Sequence, residues 1–192
     1  MTAGERADYI HKVDDEGMVV QTRELCEAYL RDFPEDGIIW IILAENLRGL
    51  HLYEESWAAL DRAERLTGES RKKRRLVLLH RGYLFTDRGD HLRAEECFME
   101  AHALCPEDAG NLIFAGVAAM RRGELARALE LLTQATLCKE GDIDEAYFNL
   151  GGVFLGLRRY GDAAECYREA LKIDPADAIY QKRLADVERL LG

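Results

Sequence analysis

His80, Tyr83 and Asp87 fall three and four residues apart, a spacing that lines them along one face of a helix. A histidine flanked by a phenol and a carboxylate could move a proton as a general base held by an acid. One sequential cluster of this kind arises easily by chance, and nothing else in the chain completes a catalytic set around it. The other histidines, His11, His51, His91 and His102, show no HExxH spacing and none stands beside a cysteine in a zinc-like pattern. Gly151, Gly152 and Gly156 form a glycine-rich stretch, but no Lys-Ser or Lys-Thr comes after it, so it is not a phosphate-cradling loop. Glu54-Glu55 and Glu95-Glu96 are adjacent pairs that point in different directions around a helix, which suits solvated surface rather than paired acid and base. No catalytic residue, metal site or cofactor is therefore expected, and the chain reads as a non-enzyme.

The five cysteines, Cys26, Cys97, Cys105, Cys138 and Cys166, include no CxxC pair, and an odd number cannot all pair within one chain. Several sit at repeat positions that are normally buried, and they read as small hydrophobes of a reducing, cytoplasmic compartment. A net charge of −10 disfavours wholesale nucleic-acid binding, which needs a basic footprint. It suits solubility or a basic partner. The N-terminal stretch MTAGERADYIHKVDDEG lacks the apolar core of a signal peptide. The longest apolar stretches, such as 38–44, are too short to cross a bilayer, and no membrane association is expected.

One local rule is broken. Arg71, Lys72, Lys73, Arg74 and Arg75 come directly after Ser70, a natural N-cap, so the basic run would occupy a helix's first turn. The helix dipole already puts partial positive charge there. The run is thus a candidate contact for an anion or an acidic partner, against the plainer account that Glu64, Glu69 and neighbouring acids neutralise it.

The elements that carry these residues obey a period. Residues 144–177 form a 34-residue unit with Tyr147, Leu150, Gly151, Phe154, Tyr160, Ala163, Tyr167, Ala170 and Pro175 at regular places. Gly151, Ala163 and Ala170 are small enough to let helices approach closely. The aromatic and leucine positions recur at helical spacing, and Asp174-Pro175 stops the second helix. The pattern recurs at 109–142, with Glu140 in the proline's place and so a weaker stop. It recurs again at 75–108, where Arg81 occupies a usually apolar position, and at 37–70. Residues 3–36 keep Gly17, Thr22 and Pro34 in register, but Arg6 and Tyr29 fit poorly, as a terminal repeat allows. Residues 178–191 carry Tyr180, Leu184, Val187 and Leu191 as one apolar stripe, which predicts a capping helix. Four residues, 71–74, and the single spacer Ile143 interrupt the regular period.

This unit resembles the tetratricopeptide repeat, a pair of antiparallel helices. The resemblance implies an all-α, right-handed α-solenoid of about five such units plus the capping helix, one domain over residues 1–192. It also implies that the first helix of each pair lines a concave surface. Carried over by position, that surface comprises Ile38, Ile41, Ile42 and Glu45, then Leu76, Leu79, His80 and Tyr83. Further along it takes Ile113, Phe114, Val117 and Met120, then Phe148, Asn149 and Leu155. The first repeat offers Asp8, His11, Asp14 and Asp15 instead. Family members that grip acidic chaperone tails use lysine, arginine and asparagine here, and only Asn149 is of that type, so this role is disfavoured. Readers of extended peptides rely on several asparagines, and this chain has three, Asn46, Asn111 and Asn149. The expectation is a protein-interaction module, an adaptor or chaperone-like holder, whose apolar groove takes the apolar side of a partner helix. The alternatives are burial of these side chains against one another, and self-association filling the face with a second copy in a structural assembly.

Overall fold

The computed structural model describes all 192 residues, Met1–Gly192. It contains eleven helices: α1 Ala3–Asp15, α2 Val19–Asp32, α3 Gly37–Gly49, α4 Tyr53–Arg65, α5 Arg71–Asp87, α6 His91–Leu104, α7 Gly110–Arg121, α8 Leu125–Ala135, α9 Ile143–Gly156, α10 Tyr160–Ile173 and α11 Ala178–Leu191. No helix is long and apolar enough to cross a membrane. Each 34-residue unit of the sequence is one helix pair, and the degenerate residues 3–36 form a pair as well.

The turn inside each pair has one backbone requirement. The residues at its left-handed position are Gly17, His51, Gly89, Gly123 and Arg158, all in the same place of the repeat. Glycine occupies that conformation without steric cost, whereas His51 and Arg158 adopt it against their Cβ atoms. Side-chain oxygens close several helix starts. Thr2 and Glu5 form a capping box, Asp36 accepts from the amides of Ile38 and Ile39, and Asp177 accepts from those of Ile179 and Tyr180.

The chain forms two compact units, Met1–Arg88 and Gly89–Gly192, so the third helix pair contributes α5 to one and α6 to the other. In the first unit each helix packs on the next, and the first helices α3 and α5 also touch. Its core gathers Ile10, Cys26, Tyr29, Ile39, Leu43, Leu60 and Leu84. The residues that fit the repeat poorly have local partners. Arg6 lies over the rings of Tyr29 and Phe33, at 5.4 and 5.6 Å, and bonds Asp32 at 2.7 Å. Arg81 holds Asp61 at 2.6 Å and Glu64 at 2.9 Å while lying 5.5 Å over Trp57.

In the second unit α7 and α9 touch, and α11 packs on α10. Two glycines at one repeat position admit a bulky partner from the second helix. A Cβ on Gly116 would stand 2.6 Å from Leu132 Cγ, and one on Gly151 would stand 2.6 Å from Tyr167 Cε1. The expected weak stop at Glu140 turns out differently. Helix α8 ends at Ala135, earlier in its repeat than the other second helices, and the chain leaves it to pair with the preceding loop. The amide of Glu140 donates to the Glu107 carbonyl at 3.0 Å, and that of Ala109 donates to the Glu140 carbonyl at 2.9 Å. Gly141, at φ +90°, completes the turn. A loop-to-loop bridge thus replaces the proline.

Candidate interaction surface

On α3 and α5 the residues expected to lie open in a groove are largely sealed between helices. Ile41 and Ile42 are 4% and 7% exposed. Ile41 packs with Ala63 and Val77, flanked by the half-buried Ile38 and Leu76. Ile42 faces the other way, into the core shared with Ile10 and Cys26. Leu79 and Tyr83 are half-buried, and Glu45 alone of this set is exposed. The physical reason is that α3 contacts α4 and α5 together, so its apolar side chains fill the seams between pairs instead of facing solvent.

The second unit shows the same outcome. Ile113 is buried, and the Phe114 ring lies 5.4 Å from that of Phe98 on α6. Val117 and Met120 are half-buried, with Met120 Cε only 3.5 Å from the place a Cβ on Gly152 would take. Phe148 stacks on Tyr180 of α11 at 4.9 Å and sits 5.6 Å from Tyr167, and Leu155 joins the same cluster with Val187. These two side chains therefore serve the capping helix. Asn149 is turned back on its own helix, donating to the Glu145 carbonyl at 3.0 Å.

What the first-helix face of the N-terminal unit does carry is polar. Asn46 donates to Asp14 at 2.7 Å and to the Ile42 carbonyl at 2.9 Å. Arg48 bonds Asp87 at 3.0 Å and lies 5.2 Å over the Tyr83 ring. His80 Nε2 is 3.9 Å from a Glu45 oxygen. Burial, helped by the Arg48 charge, lowers the His80 pKa to about 4, so the ring is neutral at pH 7. Although the Glu45 side chain is half open to solvent, partial desolvation by the surrounding helices and then the neighbouring Asp14 push its carboxyl up. Two buried nitrogens in this cluster, His80 Nδ1 and Arg48 Nε, have no hydrogen-bond partner. The suspected proton relay does not assemble. Asp87 is held by Arg48, and the His80 and Tyr83 rings meet edge-on at 5.8 Å. Arg48 was not among the surface residues expected from the sequence. The signal was its repeat position, which is the one held by Met120 and Leu155.

The basic run lies where its N-cap predicts. Ser70 Oγ accepts from the Lys73 amide at 3.4 Å, and Arg71 opens α5. The four residues outside the repeat lengthen this helix to 17 residues, one extra turn at its start. Glu64, one of the acids expected to neutralise the run, has both oxygens engaged by Arg81. No group of three or more His, Cys, Asp or Glu side chains converges to hold a metal ion.

Successive helix pairs with a turn of constant length, joined by short loops and closed by a single terminal helix, define a helix-hairpin repeat protein. Residues 144–177 match the family model of the tetratricopeptide repeat. The fold is similar to that of PilW, a type IV pilus biogenesis factor, with a TM-score of 0.81 at 14% identity over 99% of this chain and 86% of that one. It is also similar to a chain of the APC/C hetero-tetramer Cut9–Hcn1, at 0.77 and 20% identity over 97% of this chain. This chain spans only 36% of the length of that relative. A third likeness is YrrB, described as a tetratricopeptide-repeat protein with an unusual peptide-binding site, at 0.63 and 14% identity over 94% and 91% of the two chains. No curated protein matches the sequence. One unit of the chain thus matches the tetratricopeptide repeat, and the chain as a whole shares its fold with tetratricopeptide-repeat structures.

Proposed function

We propose that the protein is a non-enzymatic interaction scaffold whose first-helix face in the N-terminal unit receives an amphipathic segment of a partner protein. The observation that carries this reading is the exposed Glu45 carboxyl and the partly exposed Arg48 side chain on a face otherwise lined by half-buried apolar residues. Such a pair of opposite charges can orient a polar flank of the segment through charge-assisted hydrogen bonds. The half-buried edges of Leu76 and Leu79 on the same face of α5 supply apolar contact for the other side of such a segment. The reading is supported by the likeness in fold to YrrB, which is described as having a peptide-binding site.

Panning a phage-displayed library of random 16-residue peptides against the full chain tests the reading. Enriched peptides are expected to be amphipathic, and Arg48→Ala or Glu45→Ala should weaken them at least tenfold by fluorescence anisotropy. Peptides that bind Arg48→Ala as tightly as the parent, or a selection that enriches nothing, would overturn it. Light scattering across a broad concentration range separates capture of a partner from occupation of the same face by a second copy.

A further inference from the structure

A second surface lies on the opposite side of the N-terminal unit, where α2 and α4 flank α3. Two adjoining hollows of about 360 and 330 Å³ meet there, sharing Trp40, Leu43 and Glu27. Their floor is apolar, with Leu30, Leu43 and Leu47 beneath and Ala58 on the α4 wall. The indole of Trp40 stands half-buried between the hollows, fixed by a 2.8 Å bond from Nε1 to the Pro34 carbonyl. Either hollow is of a size to take a leucine or phenylalanine side chain.

The charges around this trough are unevenly committed. Its carboxylates, Glu27 and Glu55, both face Arg23, at 2.7 and 3.8 Å. Its cations are Arg31 in the last turn of α2 and Arg62 and Arg65 in the last turn of α4, all at one end. Arg62 reaches Glu35 only at 3.7 Å. Arg31 and Arg65 are exposed, and neither has a carboxylate within salt-bridge distance. The helix dipole alone would favour a cation in each last turn. It does not account for an apolar hollow beneath them in a chain whose net charge is −10. Uncommitted arginines beside a rigid aromatic anchor are the composition of a docking site.

We infer that this trough binds a short segment of a partner protein that lays a bulky apolar side chain against Trp40 and directs carboxylates to Arg31 and Arg65. The surface is distinct from the first-helix face, and the two succeed or fail separately. The test is a titration of the isotope-labelled full chain with the peptide Ac-Ala-Leu-Phe-Asp-Glu-Asp-NH2, monitored by NMR. Saturable shifts are expected at the Trp40 indole N–H and the Leu43 amide. The Trp57 indole, which packs 5.0 Å from Phe85, should stay still. The counterpart Ac-Ala-Leu-Phe-Lys-Lys-Lys-NH2 should bind at least tenfold more weakly. The double variant Arg31→Glu/Arg65→Glu, whose changes are on the surface, should reverse that preference, and added salt should weaken the acidic peptide. No shift at Trp40 up to millimolar peptide, equal response to both peptides, or shifts centred on Arg48 and Tyr83 would overturn the inference. Arg48→Ala is expected to leave this binding unchanged.

Discussion

At the scale of single residues, burial decides what each side chain can do. Ile41 is core, so Ile41→Ala should lower stability by about 2–5 kcal/mol in urea unfolding, the range for a buried aliphatic truncation. A change within about 0.5 kcal/mol would instead mark an open groove. Gly116→Ala should cost about 1–3 kcal/mol through its clash with Leu132, and Leu132→Ala in the same chain should remove that added cost. Arg158→Gly relieves a left-handed residue at φ 58° and is expected to stabilise the chain by about 1 kcal/mol, read as a raised melting temperature. For His80, the pKa is lowered in the folded chain, which therefore binds fewer protons there than the unfolded chain between pH 6.5 and about 4. Stability from this site is present above pH 6.5 and is lost as pH falls through that window, by at most about 1.4 kcal/mol per pH unit. Glu45, shifted upward, contributes the opposite slope. His80→Gln should flatten the fall in urea midpoint relative to the parent, and an unchanged slope would show that His80 titrates freely.

At the scale of elements, a helix pair is stable only when the next element along the chain covers its open face. Helix α11 covers Phe148, Leu155 and Tyr167 of the last pair through Tyr180, Leu184 and Val187. Removing residues 178–192 should expose that cluster, and the expected result is dye binding to apolar surface with early loss of α9 and α10 in hydrogen exchange. The periodic pattern made the eleven helices legible, including the cap, because a 34-residue repeat states its helices several times over. The extra turn of α5 was legible as well, whereas the early end of α8 was not. The run 71–74 lengthens α5 because Ser70 offers a cap at the start of a run with no helix breaker. The early end of α8 comes from hydrogen bonds to a loop some thirty residues earlier, which no local pattern encodes.

At the scale of the whole molecule, each compact unit holds a core of its own. The buried thiols belong to both. Burial pushes Cys26 up to about 12 and Cys166 up to about 11, so both stay protonated near neutral pH. No disulfide joins any two of the five cysteines. A thiol reagent applied to the native chain should leave Cys26 and Cys166 unmodified until denaturant is added, and rapid native labelling of either would contradict their burial.

The sequence by itself determined the repeat, the register of nearly every helix, the cap and the placing of the basic run, because these rest on local spacing. The tertiary structure alone decided which first-helix residues meet solvent. A period of 3.6 assigns a side chain to a face, but whether that face is a groove or a seam depends on how closely the neighbouring pair approaches. That approach buried Ile41, Ile42 and Ile113, took Phe148 for the cap, and left Glu45, Arg48 and His80 as the polar cluster of the N-terminal unit.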